Sequence, residues 1–289
     1  LWLDLEDPTD EEITILSDKF KFHELLIEDC IFPQSQSKID DFGEYLFIII
    51  HGVNSQDKEL KLYQLNIFIG KNFIVTVHEE KLTSIHNLLR RCNQNPNLLS
   101  KGPDFVLHAL VDTIVDNYSP ILDSIENQID DVEDEILKNP TRDTMAKIFK
   151  IKKDILFMRK ATDPQKVVLS SLSRKYFACI KKTALPYFRD IYDHITRVGG
   201  ILDTYREMIT SLLEVYLAGV SAKLNEVIKG LTIIGSIFLP PMLIASYYGM
   251  NIKFPEERML GTFILPFIWG ITFCIIAGLL FFFKRKKWL

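Results

Sequence analysis

Residues 230–252 read GLTIIGSIFLPPMLIASYYGMNI and residues 259–283 read MLGTFILPFIWGITFCIIAGLLFFF, and neither stretch holds an Asp, Glu, Lys or Arg. Each is longer than the roughly 20 apolar residues that, at about 1.5 Å rise per residue, cross a hydrocarbon core of about 30 Å. Buried helices of soluble proteins seldom run beyond about 14 residues without a charge. The chain therefore reads as a membrane protein, with a first transmembrane helix at 230–250, an external loop at 251–258 and a second transmembrane helix at 259–283.

Lys and Arg near membrane ends stay on the cytoplasmic side. Lys284, Arg285, Lys286 and Lys287 follow the second stretch at once, and Lys223 and Lys229 precede the first. Both ends are therefore expected in the cytoplasm, with residues 284–289 as a basic cytoplasmic tail. The short loop balances Lys253 and Arg258 against Glu256 and Glu257. At the start, Leu1 to Leu5 alternates like a strand and does not resemble a cleavable secretory signal.

The 289 residues carry a net charge of -4, too small to argue for nucleic acid or an acidic partner. Cys30, Cys92, Cys179 and Cys274 stand far apart, with no metal-ligand or redox spacing, and read as isolated reduced thiols. No Gly-rich phosphate loop, nucleophile elbow or His-Glu-x-x-His pair points to an enzyme.

Upstream of the membrane stretches lies a cytoplasmic domain over residues 1–185, α/β up to about residue 80 and helical from about 81, so the fold class expected is an α+β membrane protein with an N-terminal αβα cytoplasmic domain. Strand signals occupy Leu1 to Leu5, Tyr45 to Val53, Leu62 to Ile69 and Phe73 to His78; the last two are expected to form a hairpin, with Gly70 and Asn72 supplying positive φ. Asp10 to Phe20 and His23 to Cys30 read as short helices, and Pro103, Pro140 and Pro164 as breaks. Tyr118 to Leu137 and Thr141 to Thr162 read as an antiparallel helical pair. The acids from Asp123 to Glu135 form a solvated face, or else face the basic cluster at 284–287 or gather cations. From Tyr187 to Leu239 there is no proline, so a stalk helix over 186–229 runs on into the first membrane helix, with Gly199-Gly200 as its weak point.

Along that helix Glu214, Ser221, Asn225, Ile228, Leu231, Gly235, Leu239, Met242 and Ser246 recur at steps of three, four or seven. A soluble coiled coil would keep such a seam apolar. This mixture fits a water-filled axis with apolar constrictions, where rings of Leu and Ile close by dewetting. It equally fits a helix interface that tolerates small and polar residues.

The end of the first stretch, Tyr248-Gly249-Met250-Asn251 followed by Phe254-Pro255-Glu256, resembles the signature of the CorA family of divalent-cation channels. The resemblance extends to Asn225-Glu226-Val227, Glu214 to Leu217, Pro186 to His194, Leu26-Ile27-Glu28-Asp29 and the basic tail, and so spans essentially the whole chain. It implies a funnel-shaped homopentamer whose first membrane helices line the pore. Gly249, Met250 and Asn251 would be the selectivity filter, with Glu256 drawing cations to the mouth. Glu214, Asn225, Ile228, Leu231, Gly235, Leu239 and Met242 would line and gate the pore. Mg²⁺ dehydrates reluctantly, so a ring of Asn251 carbonyls suits it by accepting from its bound waters. Mg²⁺ would be regulatory as well as transported, held between Asp29 of one subunit and Asp190 of the next, with Glu28 and Asp112 at a secondary site. Co²⁺ and Ni²⁺ permeation are compatible with the motif. A zinc transporter of the same superfamily and a two-span receptor with a signalling stalk stay open as alternatives.

Overall fold

Five strands form one sheet in the order β1-β5-β4-β3-β2: β1 (Trp2–Glu6), β2 (Lys38–Asp41), β3 (Tyr45–Gln56), β4 (Glu59–Gly70) and β5 (Ile74–His78). β1 runs parallel to β5 and the other pairings are antiparallel. The computed structural model describes residues 1–32, 36–56, 59–80, 82–94, 100–138, 140–250 and 264–288. It separates into two units, Leu1–Glu214 and Val215–Leu289.

In the first unit the period-two alternation of the strands sends Phe47, Ile49, Phe68, Val75 and Val77 to one face. There they meet Leu16, Leu26 and Ile27 of α1 (Asp10–Asp18) and α2 (Glu24–Ile31), together with Phe22 between them. The Phe22 ring lies flat on Phe68, with centroids 4.0 Å apart and planes 5° from parallel. Leu46, Ile48, Ile50, Leu65, Ile67 and Ile69 point the other way and are equally buried. Against that face pack α4 (Pro103–Asp116) and α6 (Arg142–Arg174), with α3 (Thr83–Gln94) beside α4 and α5 (Ser119–Lys138) antiparallel to α6. Burial on both faces is why β3 and β4 read as continuous apolar runs.

Two local expectations need correction, and one strand went unread. The β4–β5 hairpin forms, closed by the Gly70 amide donating to the Phe73 carbonyl at 3.0 Å. Neither Gly70 nor Asn72 has a positive φ, so the turn does not use the left-handed region. Pro164 breaks nothing: α6 runs 33 residues through it. The buried stripe Ile151, Ile155, Met158, Ala161, Gln165, Val168 and Leu172 holds the helix together across the proline. Pro103 and Pro140 do fall at helix starts, the first at the head of α4 and the second just before the Thr141 cap of α6. The strand missed in the sequence is β2, Lys38-Ile39-Asp40-Asp41. It stands at the sheet edge, where charge is the usual guard against unwanted pairing and blurs the apolar alternation.

α7 (Leu185–Tyr248) is a single 64-residue helix through Gly199-Gly200 and Pro240-Pro241. Without amide hydrogens, Pro240 and Pro241 leave the carbonyls of Ser236 and Ile237 lacking an i+4 donor. α8 (Ile264–Arg285) follows. Their most apolar windows have mean hydropathy 1.9 and 2.2, and 0% and 6% of those windows is buried inside the protein. Helices that apolar and that uncovered are not core helices of a soluble fold.

Candidate functional site

Every member of the mixed stripe on α7 that is assigned to the pore is exposed within its own chain: Glu214, Asn225, Ile228, Leu231, Gly235, Leu239 and Met242. Leu231 is 71% and Met242 73% exposed. The helix ends at Tyr248, where the Gly249 amide donates to the Ala245 carbonyl at 2.9 Å and the Met250 amide to Tyr247. A Cβ at Gly249 would stand 2.9 Å from that same carbonyl oxygen, which makes glycine the residue this turn accommodates. Asn251, Glu256 and the rest of the loop lie outside the described residues. At the other end of the second unit, Lys284 and Arg285 occupy the last turn of α8, where cations complement the helix dipole. Lys286 and Lys287 follow in the turn beyond.

The acids assigned to regulation occupy two places in the first unit. Glu28 and Asp29 lie on α2. Asp29 Oδ2 is 2.8 Å from Lys38 Nζ, which also meets Asp40 at 3.1 Å. Burial opposes the charge on Lys38, but its hydrogen bonds to Asp29 and Asp40 outweigh that and raise its pKa. Gln64 fastens the α2 backbone below, donating to the Asp29 carbonyl at 3.0 Å.

The second place joins α4 and α7. Asp112 and Asp116 are one helical turn apart on α4, and their carboxylate oxygens and a ring nitrogen of His194 on α7 all lie within 4.8 Å of one another. Asp190, one turn before His194, has a carboxylate oxygen 4.0 Å from His194 Nε2. Burial and then the neighbouring charge of Asp116 raise the pKa of Asp112, with His108 and His194 pulling the other way and Asp190 adding to the rise. His108, on the same face of α4, is packed edge-on to Tyr187 and Phe188. Its burial lowers its pKa despite Asp112 and Asp190 nearby. Two carboxylates and an imidazole would take a hard cation such as Mg²⁺ through oxygen, and a Co²⁺-type ion through oxygen and nitrogen.

Within one chain the fold thus brings Asp112 and Asp190 into one neighbourhood, while Asp29 and Glu28 sit on another element with Lys38 as the partner of Asp29. Sequence reasoning missed Asp116, His194, His108 and Lys38 as members of these groups. The first three had a readable signal: His108, Asp112 and Asp116 repeat at four-residue steps, as do Asp190 and His194, and each set shares a helix face. The acids of α5 point outward from its buried stripe, with Asp134 paired to Lys138, Glu135 to Lys147, and Glu126 accepting from Tyr205.

Comparison with known proteins gives a family match. The model of the CorA-like Mg²⁺ transporter protein family covers residues 1–285. A "Cobalt/magnesium transport protein CorA" of Thermotoga maritima is 35% identical over 93% of the chain and 78% of its own length. A protein of the same description from Methanocaldococcus jannaschii is 28% identical over the whole chain and 91% of its own length. The solved "complete structure of CorA magnesium transporter" from the same organism superposes with a TM-score of 0.87 at 26% identity, covering 100% of this chain and 91% of that one.

Proposed function

The chain belongs to the CorA-like Mg²⁺ transporter family, and from that premise we propose that it is a magnesium channel that admits Mg²⁺, with Co²⁺ and Ni²⁺ as further substrates, down the membrane potential. The family is one of membrane transporters with two transmembrane helices, not of enzymes. The observation that carries the reading is the α7 stripe ending at Gly249-Met250. Asn225, Ile228, Leu231, Leu239 and Met242 are exposed in their own chain, so their surroundings come from lipid or from further copies. A homopentamer in the plasma membrane places them around an axis, with Ile228, Leu231, Leu239 and Met242 as apolar rings, Asn225 as an inner polar ring, and Asn251 as the outer filter. A divalent ion moving inward gains about 4.6 kcal/mol per 100 mV, enough to drive uptake without nucleotide.

Regulation by internal Mg²⁺ extends the reading. In the pentamer Asp29 of one subunit faces Asp190 of the next, with Glu28 and Asp112 nearby, and Asp116 and His194 complete the α4–α7 group. These carboxylates repel one another, and a bound cation offsets the repulsion and holds neighbouring subunits together. In this reading residues 1–185 are the sensor, 186–229 the stalk, and Lys284 to Lys287 a basic ring at the inner end. The test is uptake of Mg²⁺, Co²⁺ and Zn²⁺ into proteoliposomes at a fixed potential. Mg²⁺ should be taken up by the unaltered chain, and Asn251→Ala should reduce its uptake by an order of magnitude or more while the assembled complex keeps its size. Uptake of Zn²⁺ alone, or wild-type Mg²⁺ uptake by Asn251→Ala, would overturn it.

A further inference from the structure

Among the described residues of α8, Phe283 alone is buried, at 4% exposure. What covers it follows from how the helix stops. The Lys287 amide donates to the Lys284 carbonyl at 3.1 Å, and the Trp288 amide reaches back over the last turn to the Phe283 carbonyl at 3.0 Å. Lys287 sits between them at φ 54°, in the left-handed region. This pair of bonds around one left-handed residue is the Schellman helix end, in which the residue beyond the left-handed one packs on the residue five positions earlier. Trp288 and Phe283 make that contact, stacked at 5.8 Å and 16°.

Two departures from the ordinary version matter. Glycine normally takes the left-handed position because it pays no Cβ penalty there, yet here it is a lysine, so something beyond backbone freedom sustains the turn. The second departure is what else the indole touches. Lys229 Nζ of α7 stands over the Trp288 ring, 5.9 Å from its centroid, within the range of a cation–π contact. Lys229 immediately precedes the apolar stretch and immediately follows Ile228, one turn beyond Asn225.

We propose that Trp288 is a positioning residue of the pore: folded back on Phe283, it clasps Lys229 and so ties the inner end of α8 to the turn of α7 that presents Asn225 and Ile228. The clasp acts from outside the stripe. It touches no permeating ion and holds the helix that does, so its loss loosens the inner constriction without changing which ion the outer filter selects. The inference rests on the pore reading of Asn225 and Ile228 for its consequence, but not for the contact itself.

The chain has three tryptophans, Trp2, Trp269 and Trp288. Trp2→Phe with Trp269→Phe leaves Trp288 as the only fluorescent indole in the full chain. In that background Lys229→Gln should make Trp288 more accessible to a collisional quencher, and Lys229→Arg, which keeps the cation, should not. In proteoliposomes loaded with high Mg²⁺, Trp288→Ala and Lys229→Gln should each raise the residual flux about two- to five-fold, the range expected of one exposed cation–π contact. The double variant should leak no more than either single one, while the ratio of Mg²⁺ to Co²⁺ uptake stays constant. Unchanged quenching in Lys229→Gln, or leaks that multiply in the double variant, would overturn the clasp. If the unaltered chain moves no divalent cation, the transport reading fails, and the quenching comparison still decides the contact.

Discussion

The two units solve the burial of apolar surface in opposite ways. In Leu1–Glu214 the chain covers itself: Phe47, Ile48, Leu65 and Phe68 are 0% exposed, and buried polar groups such as Thr76 and His78 are paired within the same sheet. In Val215–Leu289 the helices are more apolar still, yet Leu231, Phe238 and Leu243 are 71%, 68% and 63% exposed. The contrast shows that hydrophobicity alone does not make a core. Strands and amphipathic helices have an inside to turn toward, whereas a helix apolar all round has none until lipid or another copy supplies it.

The largest test of that contrast is a pair of truncations. Phe68→Ala removes a fully buried ring stacked on Phe22 and should cost the first unit about 3–5 kcal/mol. Leu231→Ala should change the stability of that unit by less than about 0.5 kcal/mol. Hydrogen exchange of the β3–β4 amides in the detergent-solubilised chain measures both, and equal losses would erase the distinction.

A smaller effect comes from His78, whose side chain is 0% exposed. Its Nδ1 faces the Glu80 carbonyl at 2.7 Å and its Nε2 the Asp4 carboxylate at 3.3 Å. Both partners accept, so making both bonds takes the doubly protonated ring. Burial works against that charge, but the bonds to Asp4 and Glu80 and the charges of Asp4 and Glu6 outweigh it and raise the pKa above 6.5. The stability this contributes is complete below pH 6.5 and is lost as pH rises through the raised value. His78→Gln should therefore destabilise the β1–β5 pairing by about 1–3 kcal/mol at pH 6 and by less at pH 9. Exchange of the β1 amides at the two pH values reads this, and a pH-independent loss would mean the ring acts only by packing.

The smallest expected effect sharpens the comparison at the surface. Lys38 competes with any cation for Asp29, but it is 37% exposed and its attraction is screened. Lys38→Met should lower the Mg²⁺ concentration that protects the first unit from proteolysis by no more than about two- to five-fold. A shift toward higher Mg²⁺ would show that Lys38 supports the binding of the cation instead of opposing it.

Much of the architecture was legible because its causes are local. The two charge-free stretches, the apolar runs of β3 and β4, and the long stalk each follow from residues close together in sequence. β2 was not legible, because its charged residues answer to its place at the sheet edge. Pro164 misled for a related reason: the proline's local penalty was plain, but the buried stripe that overrides it shows only once α6 is packed on the sheet.

The candidate site divides in the same way. Tyr248-Gly249-Met250-Asn251 was readable as a contiguous motif, and the shared face of the mixed stripe on α7 follows from helical periodicity, which puts residues three and four apart on one face wherever the helix lies. Tertiary structure alone decided that Asp112 and Asp116 meet His194, that Asp29 is held by Lys38, and that Trp288 turns back to Lys229. Each joins residues from different elements, and the charge and shape that select such partners exist only after the elements have docked.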